Sequence, residues 1–152
     1  MTGYTNDAPE VLDATTCWAL IAGTRVSRLA VSVRGEPDIY PVSVRAHDGT
    51  LTFRTIPGTK LATLVTNDRV ALEWDGVDGD SAWSVVVHGT ARRLDTAEQV
   101  SAAESAAEPL VPLVDVPTEE WVRIDPHAVS GRRFHRAAAP ASDTDRSPGT
   151  RP

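Results

Sequence analysis

The apolar residues of this chain recur with a period of two between short turn signals. Leu29, Val31 and Val33 alternate with Ala30 and Ser32; Leu51, Phe53 and Thr55 alternate with Thr52 and Arg54; Val70, Leu72 and Trp74 alternate with Ala71, Glu73 and Asp75. This is the pattern of strands with one buried face. A longer strand is predicted over 83–92, with Val85 and Val87 on one face and Gly89 continuing it. The connections are short: Arg34-Gly35-Glu36-Pro37, the hairpin signal Asp48-Gly49, and Gly76-Val77-Asp78-Gly79-Asp80. Pro41, inside the strand-like segment 39–46, predicts an edge position or a bulge. Segments 121–124 and 128–134 close the pattern, with Pro126 between them. Many short strands and few helices predict a mainly β fold, a small antiparallel barrel.

Three helices interrupt the strands. Asp13 is placed to cap a helix over 14–22 with Cys17, Leu20 and Ile21 on one face, and Gly23 ends it. Thr59 is placed to cap a second helix whose apolar face is Leu61, Leu64 and Val65. Thr96 with Gln99 has the form of a capping box opening an Ala/Glu-rich helix to about residue 107. Residues 1–12 read as a flexible lead-in, 13–134 as the folded domain, and 135–152 as a disordered tail without periodicity.

A chain of 152 residues suits one domain. The formal net charge of -6 disfavours non-specific nucleic-acid binding. Its one cysteine, Cys17, cannot form an internal disulfide, which predicts a reducing, cytoplasmic setting. No secretory signal and no membrane-length apolar run is visible. The four histidines do not cluster in sequence, so a metal site is not expected.

The chemistry concentrates in Phe53-Arg54-Thr55-Ile56-Pro57-Gly58-Thr59-Lys60. A strand ends, Pro57-Gly58 turns the chain, and a helix begins. Arg54 offers a planar fork and Lys60, the only lysine of the chain, a mobile point charge. Gly58 permits close backbone approach, and a helix start offers free N–H groups. Together these can cradle a phosphate. The alternative is that Arg54 and Lys60 are solvated charges beside an ordinary turn, and spacing alone does not decide. Neither the Walker pattern nor the dinucleotide glycine spacing is present. Hydrogen bonds to charged groups contribute about 1.5–3 kcal/mol each. Two of them fall short of the ~8 kcal/mol that micromolar affinity requires. A phosphate ligand here therefore needs a large apolar or aromatic body.

Five segments in order carry a resemblance: Arg25-Val26-Ser27-Arg28-Leu29-Ala30; Pro37-Asp38-Ile39-Tyr40-Pro41-Val42; Phe53-Arg54-Thr55 with Gly58-Thr59-Lys60-Leu61; Trp83-Ser84-Val85-Val86-Val87-His88-Gly89; and Trp121-Val122-Arg123-Ile124 with Gly131-Arg132-Arg133. Over residues 16–134 the chain resembles the pyridoxamine 5'-phosphate oxidase-like family of FMN-binding split barrels, in its short actinobacterial form. The resemblance implies a six-stranded antiparallel Greek-key barrel and a homodimer with flavin sites at the interface. It implies that Arg54, Thr55, Thr59 and Lys60 hold the flavin phosphate. Pro41, Val42 and Ser43 would run beside the ring, and Trp83 and Ser84 would lie near it from the partner subunit. Ser43-Val44 departs from the Asn-Tyr-like pair of many relatives, and the extra C-terminal basic residues of true pyridoxamine phosphate oxidases have no clear counterpart.

The reaction implied is flavin-dependent oxidation or reduction of a small-molecule substrate. One alternative is a deazaflavin coenzyme on the same fold. The other is a non-catalytic binder of flavin, haem or B6-phosphate. Trp18 and Trp74 read as core residues. Glu73 and Asp75, two apart, read as a solvated pair or as paired carboxylates.

Overall fold

The computed structural model describes residues 8–105 and 120–135. Its elements in chain order are β1 (Glu10–Leu12), α1 (Ala14–Ala22), β2 (Val26–Val33), β3 (Glu36–Ser43), β4 (Arg45–His47), β5 (Thr50–Thr55), α2 (Thr59–Thr66), β6 (Arg69–Asp78), β7 (Ser81–Arg93), α3 (Ala97–Ser105) and β8 (Glu120–His135). The strands form one sheet in the order β3-β2-β6-β7-β8-β5-β4, with β1 added on β8. Every pairing is antiparallel. The chain passes from one sheet edge, β3, straight to the other, β4, through Val44, and β3 also touches β5. The sheet therefore curls around a single interior.

The alternating residues fill that interior. Leu29, Leu51, Phe53, Leu72, Trp74, Val85, Val87, Val122 and Ile124 are fully buried. Trp74 is a core residue as expected, whereas Trp18 only packs against the core from its margin. Helix α1 has the expected boundaries: Asp13 accepts from the Thr16 N–H at 2.8 Å, and the Gly23 N–H returns to Ala19. It brings Cys17 against Gly131, where a Cβ would stand 2.5 Å from the sulfur. Helix α2 contributes Leu61 and Leu64 to the core, but Val65 is exposed. Helix α3 has the expected capping box: the Gln99 N–H donates to Thr96 Oγ1 at 3.1 Å, and Gln99 Oε1 accepts from the Thr96 N–H. No helix among the described residues is long and apolar enough to cross a membrane.

Several expectations are corrected. The sheet has eight strands rather than six. Part of the lead-in is strand, because Glu10–Leu12 pairs with Gly131–Arg133 along β8. The predicted strand 39–46 breaks at Val44, its first part pairing with β2 and its second with β5. The predicted loop 76–80 is mostly strand, and the turn is confined to Gly79-Asp80. Gly76 serves packing: an added Cβ would lie 2.7 Å from the Trp83 indole. Segments 121–124 and 128–134 are one strand. A bulge between His88 and Gly89 absorbs Pro126, which sits opposite Gly89. The expected end of α3 near 107, residues 1–7 and the tail from 136 lie outside the described residues.

Candidate functional site

Alternation along β5 decides where its side chains go. Leu51, Phe53 and Thr55 point inward and are buried, so Thr52 and Arg54 take the outer face. The Thr55 hydroxyl donates only a long bond, 3.4 Å, to the Ile56 carbonyl. The chain then turns through Ile56-Pro57-Gly58 into α2. Gly58, not Thr59, is the N-cap residue, and no side chain caps the helix. Thr59 is instead the first helical residue, its carbonyl accepting from the Thr63 hydroxyl. With no cap and no acidic residue in the first turn, the N–H groups there are left for another acceptor. A Cβ at Gly58 would meet nothing within 4 Å, so the space in front of the turn is open.

Lys60 lies in that first turn and its ammonium stands 5.0 Å from the Tyr40 ring centroid, a cation–π distance. Burial pushes its pKa below the ordinary lysine value. Among the described residues it pairs with no carboxylate. Tyr40 precedes Pro41 on the edge strand β3, so this contact seats the helix start beside the segment Pro41-Val42-Ser43.

The remaining predicted residues divide by face. Pro41 is opposite Arg28, and Val26 opposite Ser43, so these four share the outer face of the sheet. Ser84, opposite Asp75 and Arg132, lies on the same face. Val42 and Trp83 point into the barrel, where they are 3% and 9% exposed. The Trp83 indole packs against Gly76 in the core. Arg54 stands against a different ring from Lys60. Its guanidinium lies 5.5 Å from the ring centroid of Trp121, its cross-strand partner, while Lys60 meets Tyr40. The two cations serve different rings.

The sequence reading did not foresee the Tyr40 contact or the role of Arg28. Arg28 Nη1 bridges Glu73 Oε2 at 2.8 Å and Asp75 Oδ2 at 3.0 Å. Desolvation, then the hydrogen bond to Asp75, pushes the Glu73 carboxyl up. The alternation that puts Arg28 between Pro41 and Glu73 was visible, but the strand order was not. Around this cluster the face is apolar: Ile39, Ala30, Ala71 and Val86 line a shallow groove with Arg28 and Glu73, and Ile39 is 68% exposed.

The family model described as pyridoxamine 5'-phosphate oxidase matches residues 13–133. An uncharacterised protein of Mycobacterium tuberculosis is 35% identical over 91 residues, covering 60% of this chain and 81% of that one. A Corynebacterium glutamicum structure assigned to pyridoxamine 5'-phosphate oxidase superposes with a TM-score of 0.77 at 29% identity, over 84% of this chain and 99% of its own. The structure of the FAD binding protein from Mycobacterium smegmatis gives 0.68 at 32% identity, over 84% and 98%. By the match of the family model and by its curled antiparallel barrel, the chain belongs to the pyridoxamine 5'-phosphate oxidase family of split-barrel proteins.

Proposed function

We propose that the chain binds a flavin nucleotide, with FMN as the first reading, and works as a flavin-dependent oxidoreductase on a small molecule. The observation that carries this is Lys60: a half-buried ammonium without a carboxylate partner among the described residues, at an uncapped helix start, held against the strand that carries Pro41 and Ser43. A phosphate fits that environment. It would accept from Lys60 and from the first N–H groups of α2, with the Thr55 and Thr59 hydroxyls as further donors and Gly58 leaving room for approach. Bound there, its negative charge would raise the lysine pKa back toward its ordinary range.

The outer edge of β3 supplies the rest of the cradle. An edge strand has backbone N–H and C=O groups not used by a neighbour, and these suit the polar edge of a planar ring. Pro41 and Ser43 direct side chains to the outer face there, as Ser84 does across the sheet. When bound, the flavin would supply two-electron transfer at its ring. The chain's own part is to fix the phosphate, orient the ring and exclude water from one of its faces. We further propose a homodimer, in which the apolar outer face around Ile39 and Val86 packs on a second copy and shields the ring from the other side.

FAD is the second reading, favoured by the Mycobacterium smegmatis relative, described as an FAD binding protein. FAD carries the same ribityl phosphate linkage, so the same cradle serves its inner phosphate. The test is to purify the chain without added cofactor and identify the bound molecule by absorbance and mass. FMN or FAD supports the proposal. A deazaflavin or haem chromophore, or a colourless protein that takes up no flavin on addition, overturns it. Turnover of added NADH or NADPH with the flavin-loaded protein separates an enzyme from a carrier.

A further inference from the structure

On the outer face of β5, which also carries Arg54, the register builds a second basic feature. Arg45 lies opposite Thr52, Thr52 opposite Arg123, and Arg123 opposite Arg92. Register partners share a face, so one row of three arginines and a threonine crosses β4, β5, β8 and β7. Helix α3 lies over it. Arg45 donates to the Ala103 carbonyl of that helix and stands 5.7 Å from the Trp121 ring centroid. Between the row and α3 is a cavity of about 230 Å³, walled by Gln99 and Ala103 as well as the four row residues.

The row is basic although the chain as a whole is acidic, with a formal charge of -6. Like charges directly opposite on neighbouring strands destabilise a sheet. Arg92 and Arg123 are such a pair, and they share one carboxylate. Asp125 holds Arg123 at 2.8 Å and Arg92 only at 3.7 Å. The side chains of Arg92 and Arg123 are 53% and 36% exposed, so both can turn their forks to a ligand. A tetrahedral dianion between them would relieve the repulsion and accept bidentate bonds from each.

We propose that this cavity is a binding site for a small phosphate-bearing anion, separate from the Lys60 cradle and independent of the flavin reading. Its size suits a phosphate group with a short carbon body, below the about 300–1,000 Å³ of pockets for drug-sized ligands. The polar lining from Thr52 and Gln99 suits phosphate oxygens, and the α3 wall, with Ala103, suits the carbon body. The source is either free phosphate or a small phosphate ester.

The experiment is thermal unfolding of the full chain in inorganic phosphate, in glycerol 3-phosphate, and in sodium chloride of matched ionic strength. Four proteins are compared: wild type, Arg92→Gln, Arg123→Gln and Lys60→Ala. The expected result is a phosphate-specific rise in Tm for wild type and Lys60→Ala. Fitted affinity should fall at least about tenfold in each arginine variant, the loss of one charge-assisted hydrogen bond. Tighter binding of glycerol 3-phosphate than of phosphate assigns the site to an ester; equal binding assigns it to free phosphate. No rise above the chloride control overturns the proposal, and so does a rise lost in Lys60→Ala but kept in the arginine variants. Should Arg123→Gln fail to fold, Arg92→Gln decides, because its bond to Asp125 is the longer one.

Discussion

Two cation–aromatic contacts, six residues apart in sequence, sit in opposite environments. Lys60 stands 5.0 Å from Tyr40 at the start of α2, and Arg54 stands 5.5 Å from Trp121 on the outer face of β5. The lysine contact opens on an uncapped helix start and carries no carboxylate among the described residues. The arginine contact is built into a covered cluster, where Trp121 is 6% exposed and packs with Leu94 and Ala103. One pair is poised for an anion, and the other fastens α3 to the sheet. Two positive residues flanking one turn thus rest against different rings.

Deleting the Trp121 ring should break the arginine side and spare the lysine side. Trp121→Ala should cost about 3–5 kcal/mol in denaturant unfolding, as for other buried large-to-small changes. The folded protein should keep its FMN affinity. A stability loss accompanied by lost flavin affinity at saturating folded fraction would join the two regions into one site.

Lys60→Ala should weaken FMN by about 1.5–3 kcal/mol, or about 10- to 150-fold, read from quenching of flavin fluorescence. Stability should not fall, since the change removes an ammonium whose burial is unfavourable. Arg54→Ala should weaken FMN by at most about threefold. A loss as large as that of Lys60→Ala would show that the guanidinium leaves Trp121 to reach the phosphate.

The smallest effect concerns the Arg28 cluster beside Pro41. Burial and the Asp75 hydrogen bond raise the Glu73 carboxyl above its ordinary 4.5, so the folded state keeps this proton to higher pH than the unfolded chain. Its stabilising contribution is thus full below 4.5 and is lost as pH rises through the raised value. Glu73→Gln should flatten that limb of the stability curve by less than about 1 kcal/mol, because the group is partly exposed. Urea midpoints measured at a series of pH values from 4 upward check it, and an unchanged slope contradicts the assignment.

The sequence was legible where local rules govern. The period-two segments gave the strands and their buried faces, and Asp13, Gly23 and the Thr96–Gln99 box gave helix ends. It was illegible where a residue's meaning depends on its neighbour across the sheet. Gly76 reads as a turn residue, but it makes space for the Trp83 ring. Pro126 reads as a strand break, but a bulge opposite Gly89 absorbs it. The same holds for the site. Lys60 and the helix start were visible in spacing, whereas the inward turn of Trp83 and the Arg45–Arg123–Arg92 row follow only from register.

The central claim is that the start of α2 holds a flavin phosphate. Its most direct test is the ratio of riboflavin to FMN dissociation constants for the wild-type chain, both measured by fluorescence quenching in one buffer. The two ligands share the ring and differ in the phosphate. The account predicts that FMN binds at least about tenfold tighter, the worth of one charge-assisted hydrogen bond. Equal constants would contradict it.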